Sequence, residues 1–126
     1  MPLHPRTKKV VEGVGIQPDF LIVDPVGFLE MIGLLKNCRL VITDSGGVQK
    51  EAYFYRKMCL TLREETEWVE LIEMGCNILV GSDPDIIHES FTAAVSKEPV
   101  FETEPYGNGR ASEAIVNELR AFISSQ

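Results

Sequence analysis

The chain has 126 residues, 44% of them hydrophobic and 25% charged, which suits one compact domain with a real core and leaves no room for two. Nineteen acidic against twelve basic side chains give a formal charge of −7, and the basic ones cluster only at Arg6, Lys8 and Lys9, so nucleic acid is excluded as an expected partner. No stretch approaches the roughly 20 apolar residues that span a bilayer, and Met1-Pro2-Leu3-His4-Pro5 carries no apolar signal-peptide region, so the expectation is a soluble, cytoplasmic protein without a membrane partner.

Taken in chain order, Met1 to Pro5 reads as the end of a strand and the loop after it, as if the chain began inside a domain. The apolar run Phe20-Leu21-Ile22-Val23 predicts a first strand, and Asp24-Pro25 after it spells a helix start, a cap followed by proline. Phe28, Met31, Ile32 and Leu35 recur at i, i+3, i+4 and i+7, a helical stripe that Asn37 closes. A second strand is expected over 39–43, then a glycine turn and a helix from about 48 to 55. A third strand follows over 58–62. Thr66 precedes a helix whose Trp68, Leu71 and Ile72 share a face and which Gly75 ends. A fourth strand over 77–80 leads into Gly81-Ser82-Asp83-Pro84, and Ile87, Phe91 and Val95 mark the next helix.

Alternating β and α units of this length predict an α/β fold: a Rossmann-like, doubly wound parallel sheet with right-handed crossovers and helices on both faces. The pattern breaks over 96–109, where Pro99, Pro105, Gly107 and Gly109 make a connector. A last helix over about 110–124 carries Ile115, Leu119, Phe122 and Ile123 on one face and is expected to dock away from the sheet. The chain therefore divides into a lobe, 1–109, and a crossing helix, 110–126. Cys38, Cys59 and Cys76 form neither a Cys-x-x-Cys pair nor an even-numbered framework and read as reduced, buried thiols.

The chemistry concentrates in Leu40-Val41-Ile42-Thr43-Asp44-Ser45-Gly46-Gly47-Val48-Gln49-Lys50-Glu51, where an apolar strand ends in Asp-Ser-Gly-Gly and passes into a helix. Glycines let an anion approach the backbone, the first free N–H groups of the helix point at it, and the helix dipole adds to the attraction. Ser45 adds a hydroxyl donor, and Glu51, about one turn beyond Gly47, can face a sugar hydroxyl beside a bound phosphate. A nucleotide or nucleotide sugar fits this pattern, although glycine also serves many strand-to-helix turns purely for packing. Among the other polar residues, His4 lies in a loop at a strand's carboxyl end and Arg63 at a strand's functional edge. Both are further candidates for touching substrate, against a structural role for His4 and an ion pair to neighbouring glutamates for Arg63. His88 and the acids Glu64, Glu65, Glu67, Glu70 and Glu73 read as solvated faces, and Trp68 as core or lobe interface. Asp83-Pro84-Asp85 mimics an Asp-x-Asp metal pair but fits a helix cap better, so neither a metal nor a cofactor is expected.

The run from Leu40 to Ala52 resembles the signature of the non-hydrolysing UDP-N-acetylglucosamine 2-epimerases. Leu3-His4-Pro5-Arg6-Thr7, Leu62-Arg63-Glu64-Glu65-Thr66-Glu67-Trp68-Val69-Glu70, Leu79-Val80-Gly81-Ser82-Asp83 and Pro105-Tyr106-Gly107-Asn108-Gly109-Arg110-Ala111-Ser112 follow in the family's order and spacing. The resemblance implies the C-terminal lobe of a two-lobed GT-B type enzyme whose last helix crosses to the other lobe. It further implies that UDP or a UDP-N-acetylhexosamine is bound, with Ser45, Gly46 and Gly47 on the diphosphate, Glu51 on the ribose and Met31 as the uracil wall, where the family commonly places phenylalanine. The reaction implied is C2 inversion by elimination and re-addition of UDP, a step of polysaccharide biosynthesis. No catalytic acid or base is expected in this chain, because the family's lie upstream, so the missing N-terminal lobe is a required partner. Trp68-Val69 stands where many members have Arg-Pro, which leaves the sugar open. The alternatives are the donor lobe of a GT-B glycosyltransferase and a non-catalytic nucleotide-binding module. Self-association is expected from the apolar face of the last helix.

Overall fold

In the computed structural model, which describes residues 1–15, 17–97, 99–101 and 104–125, the chain order is α1 (Pro5–Gly13), α2 (Phe28–Asn37), β1 (Val41–Thr43), α3 (Gly46–Phe54), β2 (Cys59–Thr61), α4 (Val69–Glu73), β3 (Asn77–Leu79), α5 (Pro84–Ser96) and α6 (Ala111–Ser124). The three strands form one parallel sheet in the order β1-β2-β3. Val41 stands beside Cys59 and Cys59 beside Asn77, while Thr43, Thr61 and Leu79 align at the other end. Each strand therefore ends at the same edge, and the turns that follow them gather there.

The central strand β2 is buried along its whole length, and its pleat separates two cores. Cys59 points to the face where Leu35 of α2, Val41 and Ala52 of α3 pack, with Met31, Cys38, Val48 and Tyr55 around them. Leu60 points the other way, into a cluster with Met58, Val80 and Ala94 of α5. Helices thus cover both faces, as the alternating pattern predicts. Burial of a side chain such as Leu60, which has no exposed surface, contributes about 2 kcal/mol.

Local chemistry sets several boundaries. Gly75, at φ +70°, closes α4: its N–H donates to the Ile72 carbonyl and the next N–H, of Cys76, to Leu71. These two bonds make a Schellman motif, which calls for glycine at that position. Asp83 caps α5, its Oδ1 accepting from the Asp85 and Ile86 amides at 2.9 and 3.3 Å, with Pro84 in the first turn. The cap reading of Asp83-Pro84-Asp85 is therefore correct.

Three expectations are corrected. The run 20–23 is not a sheet strand: Val23 makes one isolated parallel bridge to Pro2, and Phe20 and Leu21 are exposed. The bridge is made by the Leu3 and Val23 amides, and the next donors in that register fall at Pro5 and Pro25, which have no N–H. Helix α2 starts at Phe28 after Gly27 rather than at Asp24-Pro25; the Asp24 carboxylate lies 3.0 Å from Lys8 Nζ instead of capping a helix. Helix α1 occupies a stretch read as loop, with His4 as its cap, Nδ1 accepting from the Arg6 amide at 3.2 Å, and proline in its first turn. All three cysteines are free thiols, but Cys38 is half-buried, unlike Cys59 and Cys76.

Burial pushes the Cys59 thiol from an ordinary 9.0 up to about 11. The unfolded chain then ionises first, so the stabilisation is complete below pH 9 and is lost as pH rises towards 11, by up to roughly 3 kcal/mol. Denaturant midpoints recorded across that range should fall in the wild type and fall less in Cys59→Ala; parallel profiles would contradict the assignment.

Candidate functional site

The turn after β1 builds the site. Thr43 Oγ1 accepts the Ser45 amide at 3.1 Å, which fixes the approach to the helix, and Ser45 stands in extended conformation as the N-cap of α3. The first helical bond is from the Gln49 amide to the Ser45 carbonyl, so the amides of Gly46, Gly47 and Val48 have no acceptor within the helix. Ser45 and Gly47 are exposed, the Ser45 side chain makes no capping bond, and a Cβ on Gly47 would meet only open space. Unpaired amides at a solvent-facing helix start, with the dipole behind them, form a ready anion site.

Gly46 differs, since a Cβ there would run into the carboxylate of Glu67. Glu67 also pairs with Arg63, Oε2 lying 3.1 Å from Nη1, and both side chains keep substantial solvent contact. The loop that carries them is tied down beside the corner. Trp68 Nε1 donates to the Gly46 carbonyl at 2.8 Å, and the Trp68 amide donates to Thr66 Oγ1 at 3.2 Å. Thr66 Oγ1 in turn donates to Gln49 Oε1 at 2.6 Å. Gln49 is fully buried in α3, and the same Oε1 accepts from Asn77 Nδ2 at 3.0 Å, while Asn77 Oδ1 accepts from Thr61 Oγ1 at 2.7 Å. A buried polar ladder therefore joins β2, β3, the 62–68 loop and the first turns of α3.

A second anchor is aromatic. Lys50 Nζ lies 4.5 Å from the Trp68 ring centre and 4.0 Å from that of Tyr106, and those two rings meet edge to face at 5.9 Å. Tyr53 and Phe54 of α3 complete the cluster against Tyr106, and Tyr53 also meets Phe101. The connector before α6 is thus stacked onto the outer side of α3. The Tyr106 hydroxyl is shut off from solvent outside normal hydrogen-bond geometry; burial, then the nearby Glu70 carboxylate, push it above the usual phenol range. The same hydroxyl is the main influence holding Glu70 below the usual carboxylate range.

Ser45, Gly46 and Gly47 come together as one corner, and Arg63 reaches that corner through its pair with Glu67. Glu51 is a turn further along α3, half-buried, with no hydrogen bond or ion pair to its carboxylate among the described residues. Met31 is half-buried on the inner side of α2 against the Leu35 cluster. His4 uses Nδ1 to cap α1. Sequence reasoning did not find Gln49, Lys50, Thr61, Thr66, Asn77 or the closeness of Glu67 to Gly46. The available signal was polarity in core positions: Gln49 is three residues from buried Ala52 on the same helix face, and Thr61 and Asn77 lie inside strands.

Comparison with known proteins places the chain in a family. The family model described as UDP-N-acetylglucosamine 2-epimerase matches residues 1–120, and the chain belongs to that family. It is 50% identical over 119 residues to the UDP-2,3-diacetamido-2,3-dideoxy-D-glucuronate 2-epimerase of Pseudomonas aeruginosa, covering 94% of this chain and 34% of that protein. The UDP-N-acetylglucosamine 2-epimerase of Methanocaldococcus jannaschii is 39% identical over 123 residues, 93% of this chain and 33% of its own length. A crystal structure of an enzyme of that name from the same organism, in complex with UDP-GlcNAc and UDP, superposes with a TM-score of 0.81 at 38% identity, over 95% of this chain and 34% of that one. The Neisseria meningitidis UDP-GlcNAc 2-epimerase bound to UDP-GlcNAc gives 0.74 at 33% identity, over 95% and 35%. The chain thus spans about a third of the length of these relatives, one lobe of the larger fold. Among the described residues no helix is long and apolar enough to cross a membrane.

Replacing Gln49 by Met keeps its volume but strands the Asn77 amide and the Thr66 hydroxyl in the interior. The expected loss is about 2 kcal/mol of stability, read from urea denaturation, and an unchanged midpoint would show that the ladder contributes nothing.

Proposed function

We propose that this chain is the UDP-binding lobe of a UDP-sugar 2-epimerase, which inverts C2 by elimination and re-addition of UDP. The observation that carries the reading is the corner at the carboxyl end of β1: three α3 amides without helical acceptors, faced by solvent and flanked by an arginine. Open α/β sheets place ligands outside their strands' carboxyl ends. The family match across residues 1–120 includes the Tyr106–Ser112 motif, for which a glycosyltransferase donor lobe gives no reason, and so favours the epimerase.

In this reading the diphosphate rests on the amides of Gly46 and Gly47 and on the Ser45 hydroxyl, Glu51 accepts from the ribose hydroxyls, and Met31 packs on the uracil. Arg63 and His4 are the further candidates for touching the sugar. Charge building on the leaving UDP is stabilised by the helix dipole and the amides. These groups bind and hold; the proton at C2 is moved by residues of a facing lobe. The last helix is the bridge to that lobe. It buries no side chain, and its stripe of Ile115, Leu119, Phe122 and Ile123 is exposed, as a surface awaiting cover would be. The same stripe supports self-association. The 50% identity to a diacetamido-glucuronate epimerase favours a UDP-linked acetamido sugar acid over the plain hexosamine, in a cytoplasmic route to a polysaccharide.

Glu51→Ala should weaken UDP binding by roughly 1–3 kcal/mol, because the ribose hydroxyls lose a charged acceptor. Calorimetry on the folded variant checks this, and wild-type affinity would remove Glu51 from the ribose.

A further inference from the structure

The carboxylate of Glu67 lies against Gly46, close enough that a Cβ on the glycine could not coexist with it, and its Cδ would stand 3.2 Å from that Cβ. A phosphate approaching the amides of α3 past Gly46 would meet that carboxylate. None of those amides donates to the carboxylate among the described residues, so Glu67 is held there by the helix dipole and by Arg63 alone. Both side chains of the pair retain solvent contact, 36% for Arg63 and 50% for Glu67, and half-exposed pairs of this kind are weak. Glu64, from the same loop, instead lies against Gly81. Asp44 precedes the corner in the chain, but among the described residues Glu67 is the acid whose carboxylate lies against Gly46.

Resting on the reading that a diphosphate occupies this corner, we propose that Glu67 is its built-in counter-anion: the nucleotide displaces the Glu67 carboxylate from Gly46 and takes over Arg63. The exchange is favourable because a diphosphate brings more negative charge than one carboxylate, accepts from the free amides that Glu67 does not use, and meets the planar guanidinium with paired oxygens. The cost of evicting Glu67 is subtracted from every binding event, which makes Glu67 an affinity-setting residue and Arg63 a phosphate ligand delivered on binding. No covalent step is involved.

The chain carries its own reporter. Trp68, the sole tryptophan, follows Glu67 and donates to the Gly46 carbonyl, so its fluorescence is placed to register the exchange. Titrations of the chain with UDP and with uridine, followed by Trp68 emission and by calorimetry, compare the wild type with Glu67→Gln, Glu67→Ala and Glu64→Gln. Removing one opposing charge near the surface should tighten UDP about fivefold in Glu67→Gln, and at least as much in Glu67→Ala, with uridine affinity unmoved and Glu64→Gln matching the wild type. Affinity for UDP that is unchanged or weaker in both Glu67 variants would overturn the proposal while leaving the diphosphate corner intact. UDP binding by none of the proteins, with all four folded by circular dichroism, would instead remove the corner reading and this inference with it.

Discussion

Oε1 of Gln49 is the hinge point of the arrangement. One buried carbonyl oxygen accepts from Thr66 in the 62–68 loop and from Asn77 in β3, while its own helix begins at the Ser45–Gly47 corner. A buried acceptor with two donors cannot be given up cheaply, because each donor would be left unpaired away from water. The ladder therefore fixes in one register the helix whose amides face outward, the loop that brings Arg63 and Glu67, and the sheet beneath them. Trp68 closes the circuit by returning to the Gly46 carbonyl.

On that frame the electrostatics of the corner follow from position. The protein is acidic, and the corner is a local exception made by backbone rather than by many cations: free amides, a dipole and one arginine. The Glu67 carboxylate already lies in this field, beside Gly46 and paired with Arg63. The aromatic stack of Tyr53, Phe54, Trp68 and Tyr106 around Lys50 then joins α3 to the connector before α6. The helix that presents the site and the segment that leads to the exposed last helix thus share one packed cluster.

Much of this was legible in the sequence because the signals were local. Three of the four expected strands, the Asp83-Pro84 cap, the Gly75 stop and the Ser-Gly-Gly corner each depend on residues a few positions apart, and the structure has each of them. What was missed depends on contacts distant along the chain. Asp24-Pro25 spells a helix start, but Lys8 claims the carboxylate. The run 20–23 has strand composition, but among the described residues it makes one isolated bridge, cut short by Pro5 and Pro25. Helix α1 hides behind a histidine cap, outside the usual Ser, Thr, Asp and Asn set. Gln49 and Asn77 look like surface residues until the sheet brings them together, and nothing in the spacing of Gly46 and Glu67 shows that they touch. Gly46 reads in the sequence as room for a ligand, and the structure adds that the Glu67 carboxylate lies beside it.

The central claim is that the main chain at residues 45–47 holds the diphosphate of a uridine carrier. Backbone amide resonances recorded during a UDP titration test it most directly. With UDP, the signals of Gly46 and Gly47 should move furthest and saturate together with those of Ser45 and Glu51, while uridine leaves the two glycines in place. Shifts that leave these glycines unmoved while UDP binds elsewhere, or no shift at any concentration, would contradict it.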